Sequence, residues 1–530
     1  MNLVEILKDY RKESYPAIIE SKFGNINQIS YSDLEQQSAK AAAYFKQTGL
    51  KEGDAVLVFY PISIQLYVII LGLFRIKCVV ILIDPQGGKD YIKQCCQLYP
   101  PKGFIGSNKA ILFGLLMKEI RAIPIKFSAS NWIPFTHHFN RYLYAKPESD
   151  IPNTDNEFPA LITFTSGSTS IPKVVVRSHG FLINQHQVLE QTLSIQKKEV
   201  VMTTLPVFVL SHLGSGATTV LPDADLTRPG FIDPKPVLNQ IQELNVKSMI
   251  GSPSFFENIC DECEKQGAEL KTLVRLFTGG APVFPSLLKR LNQIVPQAQL
   301  TAVYGSTEAE PISHINYTAY SNKDLEEMKS GSGLLVGLPI KDIQIQIIPN
   351  EINKEIDTVS QDTFENLCLP SKAVGEIAVS GSHVLKGYLN GVGDKASKFK
   401  VADAVWHRTG DAGFFDDHGR LWLMGRCLAK LSFNKVDLYP FSIETILSFE
   451  EEIKRSAILQ FQDRLLLLIE PKNNNQNLEL LRSKIEAITK PICKVDIHFV
   501  EKIPVDKRHN SKIDYVVLRK TLPVLLEKVS

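Results

Sequence analysis

The sequence predicts an α/β protein with a large N-terminal domain of layered α/β sheets, a small β-barrel-like unit and a small, mobile C-terminal α+β domain. Three observations predict it. Apolar strand-like runs alternate with amphipathic helical stretches along most of the chain, as is typical of parallel, buried strands. Near residue 370 the pattern changes to short strands separated by Gly and Asp-Gly-type turns, which favours an antiparallel unit. The charged tail after Arg426 is long enough to fold separately.

The alternation is clearest in two stretches of the N-terminal part. The first runs "DAVLVFY" (54–60), "SIQLYVIILGLFR" (63–75) and "CVVILID" (78–84), which predicts strand, helix and strand. The second runs "VKSMIGS" (246–252), "PSFFENICDECEKQG" (253–267) and "LVRLFTG" (273–279), with the same prediction.

In the C-terminal part, the strand-like runs are shorter and the sequence is more polar. "GEIAVSGSHVLKGYLNG" (375–391) and "WHRTGDAGFFDDHGRLWLMGR" (406–426) predict the short strands of the barrel-like unit. The tail then predicts a hairpin in 455–471, a helix in 477–490, a strand in 494–500 and a final helix. We therefore expect an N-terminal domain over residues 1–425, a boundary segment at 426–430 and a small C-terminal domain over 431–530.

Composition excludes several classes of protein. The chain has 530 residues, with 59 basic and 57 acidic side chains, and this balance argues against a nucleic-acid surface. The N-terminus lacks the apolar region of a signal peptide. The most apolar window (66–84) is interrupted by Arg75 and Lys77, so we expect a buried helix and strand and no transmembrane segment. The expectation is a soluble, cytoplasmic protein.

The eight cysteines are scattered, which suits reduced thiols better than a disulfide framework. Cys260 and Cys263 have the C-x-x-C spacing, but no second pair or nearby histidine completes a zinc site. The same spacing fits one turn of a helix. No metal site of this kind is predicted.

The segment "TSGSTSIPK" (165–173) follows the strand-like run "ALITF" and has the composition of an anion-binding loop. Backbone N–H groups, hydroxyls and Lys173 can converge on phosphate oxygens. The chain contains neither the P-loop pattern nor a G-x-G-x-x-G after a strand. Taken alone, the segment fits a solvent-exposed hairpin turn equally well.

Three further segments carry residues suited to binding a nucleotide. In "YGSTEAEP" (304–311), Thr307 and Glu308 suit a phosphate and its Mg²⁺, although an ordinary helix N-terminus has the same composition. In the segment 406–426, Asp411 is suited to two ribose hydroxyls and Arg426 to the sugar or a phosphate; the alternative is a β-turn with an exposed salt bridge. In "RHNSKIDYVVLRK" (508–520), Lys512 also reads as a plain surface lysine.

Together these segments resemble the adenylate-forming superfamily of acyl-CoA synthetases, peptide-synthetase adenylation domains and luciferases. The resemblance rests on six ordered motifs, namely "TFTSGSTSIPKVVVRSHG" (163–180), "GGAP" (279–282), "VYGSTEAEP" (303–311), "GEIAVSGSHVLKGYLN" (375–390), "HRTGDAGFFDDHGRLWLMGR" (407–426) and "SKIDYVVL" (511–518). A finer resemblance, to the branch of olefin-pathway β-lactone synthetases and fatty-acid ligase-like relatives, rests on residues 218–230, 251–259 and 504–514.

The resemblance implies ATP and Mg²⁺ as cofactors, because family chemistry begins with a carboxylate attacking the α-phosphate to give acyl-AMP and pyrophosphate. The site must hold two anions together and stabilise charge on phosphoryl oxygens. By position in the motifs, the residues expected at the β- and γ-phosphates are Thr165, Ser166, Gly167, Ser168, Thr169 and Lys173. Those expected at the adenine are Gly280, Ala281, Pro282 and Tyr304. Thr307 is expected at the α-phosphate, Glu308 at Mg²⁺, and Asp411 with Arg426 at the ribose.

Lys512 is similar to the C-terminal-domain lysine that bridges the substrate carboxylate and the nucleotide in this family. A point charge on a flexible stem suits a group that arrives and leaves by domain rotation. The resemblance therefore implies that residues 426–430 are a hinge and that residues 431–530 form a mobile lid domain carrying Lys512.

The acyl chain is expected beneath residues 205–216 and 251–256, which contain no acidic or basic side chain apart from histidine. An apolar pocket suits an aliphatic acid better than a charged amino acid. The pocket residues implied are Val207, Phe208, Val209, Leu210, Phe255 and Phe256, with ordinary core packing as the alternative for each.

Three positions depart from the family pattern. Ser170 and Val174 stand where glycine is usual, and both reduce backbone freedom. Leu428 occupies the hinge position where many relatives carry Asp or Lys. The segment "SFNKVDLYPFSIE" (432–444) lacks the glycine whose neighbourhood lines the pantetheine path in acyl-CoA synthetases.

Three functions follow as hypotheses. The first is activation of a fatty or 3-hydroxy fatty acid followed by transfer to a thiol of CoA or a carrier protein. The second is a β-lactone synthetase in which the 3-hydroxyl of the substrate attacks its own acyl-AMP. The third is a catalytically weak relative that binds nucleotide or acyl groups.

Overall fold

The computed structural model describes residues 1–22, 24–129, 133–165, 172–351, 355–433, 436–473, 477–506 and 512–527. These residues form two large β-sheets flanked by helices and a smaller C-terminal α+β domain. Among the described residues, no helix is both long enough and apolar enough to cross a bilayer.

The first part of the chain contains seven strands and five α-helices within its described residues. The strands are β1 (Pro16–Lys22), β2 (Asn25–Ser30), β3 (Ala55–Phe59), β4 (Val79–Ile81), β5 (Gly103–Gly106), β6 (Ile125–Ser128) and β7 (His137–His138). The helices are α1 (Tyr31–Gln47), α2 (Ile64–Arg75), α3 (Gly88–Leu98), α4 (Asn108–Leu115) and α5 (Lys118–Arg121).

The central part adds β8 (Pro159–Thr165), β9 (Lys173–Ser178), β10 (Val200–Thr203), β11 (Thr218–Leu221), β12 (Ser248–Gly251), β13 (Arg275–Gly279), β14 (Gln299–Ser306) and β15 (Ala309–Asn316). Its helices are α6 (His179–Leu193), α7 (Pro206–Gly214), α8 (Pro234–Glu243), α9 (Pro253–Gln266), α10 (Pro285–Ile294) and α11 (Asn322–Lys329).

The third part contains β16 (Leu334–Pro339), β17 (Ile343–Ile348), β18 (Gly375–Gly381), β19 (Lys398–Val401), β20 (Ala404–Phe415) and β21 (Leu421–Arg426), with α12 (Gln361–Leu367) and α13 (Asp394–Ser397). The C-terminal domain contains β22 (Leu431–Phe433), β23 (Val436–Leu438), β24 (Ile453–Phe461), β25 (Arg464–Pro471) and β26 (Asp496–Phe499), with α14 (Pro440–Leu447), α15 (Leu478–Thr489) and α16 (Tyr515–Glu527).

The smaller of the two large sheets has the order β7-β6-β5-β3-β4-β8-β9. Its strands are parallel from β7 to β8, and β9 then returns antiparallel to β8. Thr165 pairs with Lys173 in this hairpin, so the predicted phosphate loop connects two strands at the edge of the sheet.

The larger sheet has the order β17-β18-β20-β21-β16-β15-β14-β13-β12-β10-β11-β1-β2, with β19 paired to β20. Its middle strands β11, β10, β12, β13 and β14 are parallel, as the alternating pattern predicted. The strands predicted as a barrel-like unit (β16 to β21) continue this sheet in antiparallel pairs, and the described strands close no barrel.

Helix α2 shows how the most apolar window of the sequence folds. Ser63 caps the helix, accepting a hydrogen bond from the Leu66 backbone N–H, and the helix is buried along its whole length. Arg75 lies inside this apolar environment with 1 % of its surface exposed. It pairs with Glu35 and donates from Nε to Ser38 Oγ at 3.1 Å, so the buried charge has partners.

The cysteines behave as buried apolar side chains or free thiols. All eight are unpaired, and Cys260 and Cys263 are buried on α9, one helical turn apart. Within the described ranges, no group of three His, Cys, Asp or Glu side chains could hold a metal ion.

The C-terminal domain has the predicted hairpin of β24 and β25, with β26 parallel to β25. It packs against the rest of the chain through the Phe284 and Phe441 rings, whose centroids are 5.9 Å apart, and through Asn350 Nδ2, which donates to the Tyr439 hydroxyl at 3.1 Å. Where the hinge is predicted, residues Cys427–Ala429 form a single 3-10 turn and Leu428 is 63 % exposed.

Candidate active site

A hydrogen bond joins Tyr304, in the parallel part of the larger sheet, to Asp411, in its antiparallel part. Tyr304, on β14, donates its hydroxyl to Asp411 Oδ2 at 2.8 Å, and Arg426 Nε lies 3.3 Å from Asp411 Oδ1. Burial and the Asp411 charge raise the pKa of Tyr304 far above its usual value, so this phenol stays a donor. The carboxylate of Asp411 is 18 % exposed, which leaves it accessible to a ligand.

A buried ion pair between Arg408 and Glu376 supports the turn that carries Asp411. Gly410 has φ +72°, a left-handed conformation that favours glycine, within the long strand β20. Arg408 Nε donates to Glu376 Oε2 at 2.7 Å, and Glu376 Oε1 accepts from the Gly410 backbone N–H at 3.2 Å. Thr409 Oγ1 accepts from the Asp411 N–H at 3.1 Å. These bonds fix the Thr-Gly-Asp conformation.

Thr307 and Glu308 form the two-residue turn of the hairpin between β14 and β15. The alternative interpretation of this segment as a helix N-terminus is therefore wrong. Arg177 Nη2 donates to the Thr307 carbonyl at 3.0 Å, and the Glu308 carbonyl accepts from the Leu385 N–H at 2.7 Å. Tyr388 donates its hydroxyl to Glu308 Oε1 at 2.7 Å.

The Glu308 carboxyl is held in its ionised form. Burial opposes the charge, but His407, the Tyr388 hydroxyl and Lys398 favour it, and the pKa of Glu308 lies below its usual value. Burial lowers the pKa of His407 to about 3, so this imidazole is neutral at pH 7. We therefore attribute the ionised state at that pH to Tyr388 and Lys398. An ionised carboxylate suits Mg²⁺, which takes one or two carboxylates together with phosphate oxygens, as the sequence predicts for Glu308.

Lys173 begins β9 and points towards the same tyrosine. Its Nζ lies 4.8 Å from the centroid of the Tyr388 ring. Thr165, at the end of β8, is paired with Lys173, whereas Ser166, Gly167, Ser168 and Thr169 lie outside the described residues, as does Ser170. Val174 pairs with Phe164 in extended β9, so the conformational concern raised by its branched side chain does not arise.

The "GGAP" segment leaves the end of β13 beside Tyr304. Gly279 is in register with Val303, and a Cβ on Gly279 would lie 2.7 Å from the Val303 carbonyl oxygen. Gly280 has φ +80°. Gly280, Ala281 and Pro282 then lead to α10. This close backbone approach places the start of the predicted adenine-binding segment beside Val303, the residue before Tyr304 on β14.

Lys512 lies in the C-terminal domain, three residues before α16. It is exposed, and its backbone N–H donates to Asp506 Oδ1 at 2.8 Å while its carbonyl accepts from the Asp506 N–H.

The six residues predicted to line an acyl pocket are distributed over three hydrophobic clusters. Phe208 packs with Ile250 and Phe277. Val209 and Leu210, with the partly buried Val207, belong to the core around α2. Phe255 and Phe256 belong to the core of the larger sheet. The five buried residues all pack within these clusters, as the alternative of core packing predicts.

Sequence reasoning missed two residues of this site. Tyr388 lies in the motif at 375–390. An aromatic residue directly after Gly387 in that motif could have marked it as a candidate site residue. Lys398, in "DKASKFK", has no sequence signal, because it reaches the site only through the pairing of β19 with β20.

Comparison with known proteins decides the family. The model of the AMP-binding enzyme family matches residues 8–389. The chain belongs to this family. It is an adenylate-forming ligase, and the predicted enzyme class and use of ATP are confirmed at this level.

Two similar relatives are olefin β-lactone synthetases. That of Stenotrophomonas maltophilia is 29 % identical over 509 residues, covering 92 % of this chain and 89 % of the relative. That of Xanthomonas campestris pv. campestris is 28 % identical over 522 residues, with the same coverage. 4-coumarate-CoA ligase 1 of Narcissus pseudonarcissus is 23 % identical over 468 residues, covering 82 % of this chain and 77 % of the ligase.

Solved structures share the fold along the whole chain. The anthranilate CoA ligase AuaEII in complex with anthranoyl-AMP superimposes with a TM-score of 0.82 at 14 % identity, covering 99 % of this chain and 98 % of that one. The amide bond synthetase McbA from Marinactinospora thermotolerans gives 0.79 at 18 % identity, covering 98 % and 99 %. The predicted α/β fold with a C-terminal domain is confirmed.

Proposed function

We propose that the enzyme activates a fatty acid or 3-hydroxy fatty acid as its acyl adenylate and releases pyrophosphate. Two groups of side chains carry the proposal: Tyr304–Asp411–Arg426 and Lys173–Tyr388–Glu308. The hairpin of β14 and β15 carries both Tyr304 and Glu308 and so links the two groups, in a chain of the AMP-binding enzyme family. The first group presents a carboxylate for ribose hydroxyls. The second combines a cation for phosphate oxygens with a carboxylate for the phosphate-bound metal.

Each group has a task that its chemistry suits. Asp411 accepts hydrogen bonds from the ribose, and Tyr304 and the "GGAP" backbone enclose the adenine. Lys173 and the loop before it neutralise the β- and γ-phosphates, so that the acid carboxylate can approach the α-phosphate. Glu308 and Thr307 would hold Mg²⁺ and an α-phosphate oxygen; when bound, the metal neutralises phosphate charge. Lys512 would arrive with the C-terminal domain for this half-reaction.

For the second half-reaction we propose closure to a β-lactone. The 3-hydroxyl oxygen attacks the acyl carbonyl carbon, the bond to AMP breaks, and the hydroxyl proton is released. Support comes from the similarity to olefin β-lactone synthetases over 92 % of the chain. The glycine-free segment 432–444 also supports it, since no pantetheine path is needed.

Transfer to a thiol of CoA or a carrier protein is the second candidate, supported by the similarity to 4-coumarate-CoA ligases. We also propose a cytoplasmic location, which the eight unpaired thiols support.

A carboxylic-acid panel in an ATP–pyrophosphate exchange assay, with and without CoA, tests the proposal. Exchange with 3-hydroxy fatty acids, and a β-lactone detected by mass spectrometry without any thiol, would support lactone closure. CoA-dependent turnover of plain fatty acids would select the thiol acceptor instead. Nucleotide binding without exchange across the whole panel would overturn the proposal in favour of a catalytically weak relative.

A further inference from the structure

A single chain segment, residues 385–398, contacts both Glu308, the proposed metal ligand, and Lys173, the proposed phosphate-binding lysine. At its start, the Leu385 N–H donates to the Glu308 carbonyl. In its middle, Tyr388 donates its hydroxyl to the Glu308 carboxylate, and its own N–H donates to Asp394 Oδ1 at 2.8 Å. Tyr388 is 7 % exposed and packs with Val175 and Leu385.

Lys398 is the last residue of this segment, and its side chain returns to contact residues near the start of the segment. It begins β19 and pairs with His407 on β20, the strand that carries Asp411. Its ammonium donates to the Leu385 carbonyl and lies 5.6 Å from the centroid of the Tyr388 ring. One side chain therefore contacts both residues of the segment that bond to Glu308.

A buried lysine at this point is costly. Lys398 is 8 % exposed, and burial lowers its pKa to about 8. The charges of Glu308 and Asp394 oppose this lowering, and the charge of Lys173 adds to it. An apolar side chain of the same length would fill the space without this cost. The ammonium is therefore better explained by its contacts than by packing.

We propose that Lys398 is a positioning residue for adenylation: by holding the Leu385 carbonyl and the Tyr388 ring, it keeps the Tyr388 hydroxyl on Glu308 and so orients the carboxylate that receives the metal. This inference rests on the proposed adenylation function. It extends that function, since Lys398 lies outside the motifs that predicted the site.

The matched pair Lys398→Met and Lys400→Met tests the inference. Lys400 is an exposed lysine two residues further along β19, so the same exchange there controls for loss of a charge from this strand. We expect Lys398→Met to lower kcat of ATP–pyrophosphate exchange by about 10- to 100-fold, the range produced by small misplacements of catalytic groups, and to raise the Mg²⁺ concentration needed for half-maximal rate. Lys400→Met should match the wild type. Equal activity of the two variants would overturn the inference.

A double-mutant cycle separates positioning from a general structural effect. If Lys398 acts through Tyr388, Lys398→Met combined with Tyr388→Phe should lose no more activity than the worse single variant. Additive losses would show that Lys398 acts independently of Tyr388. Lys398→Arg should restore part of the Mg²⁺ response, and thermal unfolding of each variant identifies any that fold poorly.

Direct binding keeps this test apart from that of the proposed function. If no acid of the panel supports pyrophosphate exchange by the wild type, the proposed adenylation function is wrong. ATP binding measured by calorimetry with and without Mg²⁺ still reports on Lys398. Loss of the Mg²⁺-dependent part of the affinity in Lys398→Met, and not in Lys400→Met, supports the inference. An unchanged Mg²⁺ dependence contradicts it.

Discussion

Tyr304 donates its hydroxyl to Asp411 across 107 residues of sequence, and the bond measures 2.8 Å. It connects the strand that ends the parallel part of the larger sheet with the antiparallel strand that carries the Thr-Gly-Asp turn. Arg426 approaches the other oxygen of the same carboxylate. Asp411 is thus held in one orientation before a nucleotide binds, which lowers the entropy lost on binding.

Asp411→Asn should weaken ATP binding more than it slows the chemical step. The amide can still accept from Tyr304, but it loses the charge that faces Arg426 and that is proposed to bind the ribose hydroxyls. Hydrogen bonds to charged groups are worth about 1.5–3 kcal/mol, so the KM for ATP should rise by roughly 10- to 100-fold. Exchange kinetics at varied ATP measure this. Asp417→Asn, which removes an exposed partner of Lys372, is the control and should leave KM unchanged. An unchanged KM in Asp411→Asn would exclude the ribose contact.

Lys512→Ala should sharply reduce ATP–pyrophosphate exchange while sparing the second half-reaction. The lysine is exposed on the C-terminal domain, so its removal should leave the fold intact. Exchange should fall by about 100-fold or more, because charge stabilisation at the phosphoryl centre is lost. Consumption of a supplied acyl adenylate should continue. Lys520→Ala, an exposed lysine on α16, is the control. Near-normal exchange in Lys512→Ala would remove the proposed role.

The sequence predicted the elements whose signal is local. The hairpin of β24 and β25 and the buried helix α2 follow from hydrophobic period, and both are present. The residues proposed to bind ribose and the metal were predicted from motifs, each of which covers only a short segment of the chain. The structure brings those segments together through the register of distant strands.

Interactions between segments account for what the sequence did not predict. Thr307 and Glu308 have a composition suited to a helix cap, yet the pairing of β14 with β15 places them in a hairpin turn. Lys398 resembles any lysine in a charged stretch until β19 pairs with β20. Strand pairing overrides the local preference at Thr307 and Glu308, and at Lys398 it creates contacts that the local sequence does not encode.

Gly393→Ala should displace Lys173 from Tyr388. Gly393 has φ +95°, and a Cβ there would lie 2.8 Å from Lys173 Cε. The flexible lysine must move, so exchange activity should fall several-fold. Gly419→Ala is a matched control, because Gly419 has φ +70° but no atom within 4 Å of an added Cβ. Both variants should lose roughly 1 kcal/mol of stability from backbone strain. Only Gly393→Ala should lose activity, and equal activities would show that the position of Lys173 is not limiting.

The last prediction concerns Glu444 in the C-terminal domain. Its carboxylate accepts a hydrogen bond from the Tyr515 hydroxyl, between α14 and α16. Burial raises the pKa of Glu444 from 4.5 to about 7, although the Tyr515 bond opposes the shift. The native state therefore retains a proton that the unfolded chain releases between about pH 4.5 and 7. Stability should fall as pH rises through this window and level off above about pH 7.

Glu444→Gln should remove this dependence, because the amide is neutral at every pH and can still accept from Tyr515. Relative to the wild type, the variant should gain stability at pH 8.5 and little at pH 4.5. The pKa shift of Glu444 corresponds to a gain in the free energy of unfolding of at most roughly 3 kcal/mol. Thermal unfolding at both pH values measures the difference, with Glu501→Gln as an exposed control from the same domain. A Glu444→Gln curve parallel to that of the wild type would show that Glu444 is ionised in the folded protein at neutral pH.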